Sequence, residues 1–171
     1  MFCHPTFREQ LLYLQTELIS KSRLEFLEYF QYSINLNTNK TGFAEWIINT
    51  ANENKELGLF TDVLFTPISI WDLANEIEFL IKTDNINSES LHIAGELCTK
   101  YEFGYRLLDK LNISTKTLSK TLISSYKDRA KRSNDQSLDS SYYSEKYQRE
   151  LVSLDQTILK LKAHYEFNQI R

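Results

Sequence analysis

A chain of 171 residues, 42% hydrophobic and 25% charged, is long enough to bury a proper core and ordinary enough in composition to be globular. With 4 Gly and 2 Pro, turn punctuation is scarce, which favours long helices over many short strands. The net charge of −3 hides an asymmetry: 6 Lys and Arg against 14 Asp and Glu over residues 1–99, 9 against 3 over 100–132, and 5 against 6 over 133–171. No apolar run is long enough to cross a bilayer, and the start, Met1-Phe2-Cys3-His4-Pro5, lacks the marks of a secretion signal. Cys3 and Cys98 read as lone reduced thiols, so the expected location is cytoplasmic.

Pro5 suits a first helical turn, and Phe7, Leu11, Leu14 and Leu18 recur at helical spacing. Ser22 and Glu25 have capping-box spacing for a second helix through Leu27, Phe30 and Ile34. Thr41 opens a third, carrying Phe43, Trp46, Ile47 and Ala51, with Gly58 as its stop. Thr66-Pro67 and Ser69-x-x-Asp72 start a fourth, and Ser88 a fifth through Leu91, Ala94, Leu97 and Cys98. Gly104 interrupts, and two short helices are expected over 105–111 and 115–130. Residues 133–141 have linker composition, and Tyr147, Leu151, Leu154, Ile158, Leu161 and Tyr165 form a heptad seam on a last helix. Asp62-Val63-Leu64-Phe65 is the best strand-like run and is too short to found a sheet.

The expected fold is therefore all-α: six to eight helices, with a helical domain over 1–132, a linker over 133–141 and a C-terminal helix over 142–171. That last helix must bury its seam, either on its own domain or, through Leu151, Leu154, Ile158 and Leu161, in a homodimer.

One stretch carries a sharper expectation. In residues 105–122 Leu107 and Leu111 supply an inward face, Asn112 tolerates a left-handed turn, and Ile113 plugs it. Ser114 caps the second helix, and Leu118 and Leu122 are its anchors. This segment resembles the helix-turn-helix of bacterial transcription regulators, with Leu108 and Asn112 where that motif has a small residue and Gly. The resemblance implies a DNA-binding regulator. Thr115, Lys116, Thr117, Ser119 and Lys120 would meet base edges and phosphates of double-stranded DNA, and Lys127, Arg129, Lys131 and Arg132 would grip the backbone. The same pattern also suits an ordinary helical hairpin.

The alternative is a non-enzymatic protein-binding module: an acidic, aromatic front facing a basic partner, as in a toxin-neutralising immunity protein or a secretion chaperone. Catalytic and cofactor signatures are lacking. His4, His92 and His164 stand alone, no glycine-rich phosphate loop assembles, and Cys98 has no sign of an activated nucleophile. No enzyme, metal or cofactor is expected.

Overall fold

The computed structural model describes residues 42–83, 90–126 and 133–169, and the first two expected helices, Thr41, Ser88 and Lys127, Arg129, Lys131 and Arg132 lie outside them. The chain divides into two units, one of residues 1–29 and 74–90, the other of residues 30–73 and 91–171. The elements in order are α1 (Phe43–Asn52), β1 (Leu57–Phe60), β2 (Leu64–Phe65), α2 (Ile70–Lys82), β3 (Cys98–Thr99), α3 (Lys100–Lys110), β4 (Leu118–Thr121), a 3-10 turn (Ile123–Ser125), α4 (Ser141–Tyr147) and α5 (Leu154–Gln169). The all-α expectation is thereby corrected: β1 pairs with β4 in parallel, and β2 with β3 antiparallel.

Helix α1 forms because Ala44, Ile47, Ile48 and Ala51 recur on one face, which is fully buried. Its cap is Gly42, whose N–H donates to Glu45 Oε2 at 3.2 Å. Asn54, at φ 54°, turns the chain away just past its end. Gly58, expected as the stop, sits instead inside β1. A Cβ there would lie 2.9 Å from Thr121 Cγ2, so the residue is set by close contact with β4.

Helix α3 was expected to begin after Gly104 and in fact runs through it. Thr99 is the cap, its Oγ1 accepting from Glu102 N–H at 3.0 Å. Gly104 is the point of closest approach to β1, since a Cβ there would overlap Leu59 Cδ1. Residues 91–97, expected as helix, are irregular and lead into β3. Ser69 and Asp72 do cap α2 as their spacing suggests: Ser69 Oγ accepts from Asp72 N–H at 3.1 Å and donates to Asp72 Oδ2 at 2.5 Å. In the smaller unit, the later turns of α2 carry a Lys82–Glu78 pair at 2.6 Å.

The core of the larger unit gathers the buried faces of α1, β1, α3 and α5 around Phe65 and Phe103. Phe103 meets Phe65 edge-on at 5.5 Å and stacks on Phe43 at 5.8 Å. Residues 133–138, expected as a linker, run beside β2 instead. Leu64 N–H donates to Asn134 O at 2.8 Å, Gln136 N–H to Leu64 O at 3.0 Å, and Leu138 N–H to Thr66 Oγ1 at 3.1 Å.

The last expected helix is two. Gln148, left-handed at φ 52°, ends α4. Ser153 and Gln156 then cap α5 reciprocally, Ser153 N–H donating to Gln156 Oε1 at 2.9 Å and Gln156 N–H to Ser153 Oγ at 3.2 Å. Leu154, Ile158 and Leu161 are buried in the chain's own core, so they are not available as a dimer seam. Leu151, outside the helix, is 37% exposed.

Candidate functional site

The expected helix-turn-helix is half present. Leu107 and Leu108 are buried on α3, Asn112 takes the left-handed conformation at φ 57°, and Ile113 packs on the core while its N–H donates to Leu108 O at 2.9 Å. Leu108 is core, which is why a small residue is not required there. The second helix does not exist. Ser114 Oγ accepts from Lys116 N–H at 3.4 Å, Thr115 to Thr117 form a turn, and Leu118–Thr121 is strand β4. Lys116 and Lys120 are exposed, but one lies in the turn and the other on a strand, so they share no helical face. Lys120 Nζ lies 5.1 Å from the Tyr101 ring centre, Thr115, Thr117 and Ser119 are half-buried, and Leu122 is 49% exposed instead of anchored.

Strand β4 exists because its partner lies far back in the chain. Leu118 to Thr121 pair with Leu57 to Phe60, and the ladder is extended by Leu57 N–H to Thr117 O at 2.9 Å and Thr61 N–H to Thr121 O at 3.0 Å. Because the strands are parallel, their carboxyl ends coincide, and ligands of open parallel sheets sit beyond such ends.

The residues at this edge are tied together by Asp62. Its carboxylate accepts Ile123 N–H at 3.0 Å and 3.3 Å, and the Asn134 side-chain amide at 3.4 Å. Phe60 meets Tyr126 edge-on, with ring centres 5.4 Å apart at 88°. A Cβ on Gly58 would come within 3.2 Å of the Tyr126 hydroxyl, so the glycine leaves room for that ring across β1. Tyr126 nevertheless remains 44% exposed. The edge thus offers an aromatic surface held from behind, beside amide and hydroxyl groups. That chemistry suits a flat ring with polar substituents.

A second cluster of polar groups lies within the core. Lys100 Nζ is 3.6 Å from the Phe65 ring centre and 4.8 Å from that of Phe43. Burial lowers Lys100 from its ordinary 10.5 to about 8, with the neighbouring Cys98 opposing the shift. Burial also pushes the Cys98 thiol up to about 12, helped by the Glu102 carboxylate. Cys98 is therefore a protonated core thiol, not a nucleophile. Among the described residues no group of His, Cys, Asp and Glu could hold a metal ion, and no helix is long and apolar enough to cross a membrane.

A family model described as the RmlD substrate binding domain matches residues 30–166. The chain belongs to this family. Known structures agree on the fold. A dTDP-4-dehydrorhamnose reductase from Clostridium acetobutylicum superposes with a TM-score of 0.63 at 22% identity, covering 77% of this chain and 45% of its own. Its counterpart from Bacillus anthracis, solved in complex with NADP, gives 0.63 at 16% identity, covering 71% and 43%. A dTDP-glucose 4,6-dehydratase from Bacillus anthracis, in complex with NAD, gives 0.56 at 16% identity, covering 75% and 40%. The RmlD-family chain thus spans less than half the length of these structures. No curated protein matches it by sequence.

Membership of the RmlD family corrects several expectations together. The fold is mixed α/β and shared with part of the dTDP-4-dehydrorhamnose reductase structures, and is not a helical bundle. The readings as a DNA-binding regulator, as an immunity protein and as a secretion chaperone are overturned, with double-stranded DNA and a basic toxin as partners. The expectation of no enzyme is overturned as well, since the structures that share the fold are dTDP-4-dehydrorhamnose reductases. The residues that sequence reasoning missed are Phe60, Asp62, Thr121 and Tyr126.

Proposed function

We propose that this chain is a substrate-binding part of a nucleotide-sugar reductase. It holds a thymidine-diphosphate sugar with a ketone on its ring at the carboxyl edge of β1 and β4, and works in the cytoplasm. The observation that carries this reading is the family match over residues 30–166. The names of the structures that share the fold supply the substrate class, a dTDP-linked 4-dehydro sugar.

The chemistry of the chain agrees with such a ligand. Tyr126, backed by Phe60, presents a surface on which a pyrimidine ring stacks. Asp62 fixes the backbone that carries that surface, and so acts by positioning. The excess of 9 Lys and Arg over 3 Asp and Glu in residues 100–132 favours a phosphorylated ligand.

Calorimetric titration with dTDP tests the reading. Saturable binding is expected, and Tyr126→Ala should weaken it by about tenfold or more, the loss of one stacked base. Absence of binding by the folded chain would refute it.

A further inference from the structure

Two of the structures that share the fold were solved with NADP or NAD. A dinucleotide is held through its pyrophosphate, at a glycine-rich turn that leads from a strand into an open helix N-terminus. There, free N–H groups and the helix dipole meet the anion, and glycines let the backbone approach it.

This chain does not fit that group. Its glycines stand at 42, 58, 95 and 104, so no Gly-x-Gly spacing occurs anywhere in the 171 residues. Among the described residues, α1, α2, α3 and α5 each place an acid in the first turn, and in α2, α3 and α5 side chains take first-turn N–H groups as well. Glu45 takes Gly42 N–H at the head of α1, and Ser69 with Asp72 closes α2. At α5, Gln156 N–H is taken by Ser153, Leu154 N–H is taken by Glu96 Oε2 at 2.9 Å, and Asp155 stands next to it.

The junction of β3 with α3 is the place where a strand runs directly into a helix, as a dinucleotide turn must. It is closed as well. Thr99 Oγ1 takes Glu102 N–H at 3.0 Å, and Lys100 N–H donates to Val63 O at 3.1 Å. The Glu102 carboxylate lies in the first turn, paired with Arg106 at 2.6 Å. A phosphate arriving there would find its donors spent and a carboxylate beside it.

We infer that this chain does not bind a nicotinamide dinucleotide. The inference rests on the glycine spacing and the helix ends, and stands apart from the reading of the chain as a nucleotide-sugar binder. Two measurements on the full chain separate them. Titration of NADPH and of NADH, monitored by dihydronicotinamide fluorescence, should show no saturable change up to about 1 mM. Thermal unfolding with dTDP should show a raised Tm, because a ligand bound only by the folded state stabilises it. Saturable fluorescence enhancement with a micromolar midpoint would overturn the inference, whatever dTDP does. A Tm that dTDP leaves unmoved, with the fluorescence also flat, would overturn the substrate reading and support the absence of a dinucleotide site.

Discussion

Replacing Asp62 removes the group that ties the end of β1 to the chain beyond β4. Asp62→Ala deletes the acceptor of the Ile123 N–H, bonded at 3.0 Å and 3.3 Å, together with the longer 3.4 Å contact from Asn134. Hydrogen bonds to charged acceptors contribute about 1.5–3 kcal/mol, and a donor left without a partner carries most of that cost. The site is half-buried and the Asn134 contact is weak, so the expected loss is about 2 kcal/mol. In a chain of this size that lowers Tm by about 4–8 °C. Asp62→Asn keeps a carbonyl oxygen for the Ile123 N–H and should recover roughly half of the loss. Urea unfolding of the three proteins gives the energies, and hydrogen exchange at Ile123 locates the change, since that amide should exchange faster in the Ala variant. A loss under about 0.5 kcal/mol, or unchanged exchange at Ile123, would refute the role given to the carboxylate.

Other perturbations read other parts of the structure. Gly104→Ala drives a methyl into Leu59, an overpacking cost of about 1–3 kcal/mol that outweighs a helix-propensity gain of about 1 kcal/mol. The variant should be less stable by urea unfolding, and Leu59→Val in the same chain should restore part of the loss. Ile158→Ala, at a core position 1% exposed, should cost about 2–5 kcal/mol, whereas Leu159→Ala, 47% exposed, should cost under about 0.5 kcal/mol. Sedimentation should show the same oligomeric state for both. The pH profile of stability should carry the Lys100 and Cys98 pair. Lys100 falls from 10.5 to about 8, so between those values the unfolded chain binds more protons and stability rises with pH. Cys98 rises from 9.0 to about 12, so above 9.0 its contribution is lost as pH rises. Stability should therefore climb from about pH 8 to 9, Lys100→Met should abolish the climb, and Cys98→Ala should extend it.

Local order in the sequence was readable where its causes were local. The Ser69–Asp72 cap, Ile47 and Ala51 on the buried face of α1, the left-handed Asn112 and the core positions Leu154, Ile158 and Leu161 all arise from spacing within a few residues, although Trp46, expected on that face, is 42% exposed. The strands were not readable in that way. Strand β4 is four residues, Leu-Ser-Lys-Thr, whose reason for being extended is Leu57 to Phe60, some sixty residues earlier. Its lysine and serine, coming after a helix and a tight turn, read equally well as the outer face of a second helix. Gly58 and Gly104 misled for a related reason: both answer to close contacts across the core, not to the ends of elements. The candidate edge was hidden with β4, because Asp62 meets Ile123 and Phe60 meets Tyr126 only when β1 and β4 pair.

The most direct test of the account is an amide chemical-shift titration of the isotope-labelled chain with dTDP. The account predicts saturable shifts concentrated at Phe60, Thr61, Asp62, Thr121, Ile123 and Tyr126, with the exposed turns of α5 unmoved. Binding that shifts α5 and leaves those six amides in place would contradict it, as would a titration in which nothing moves.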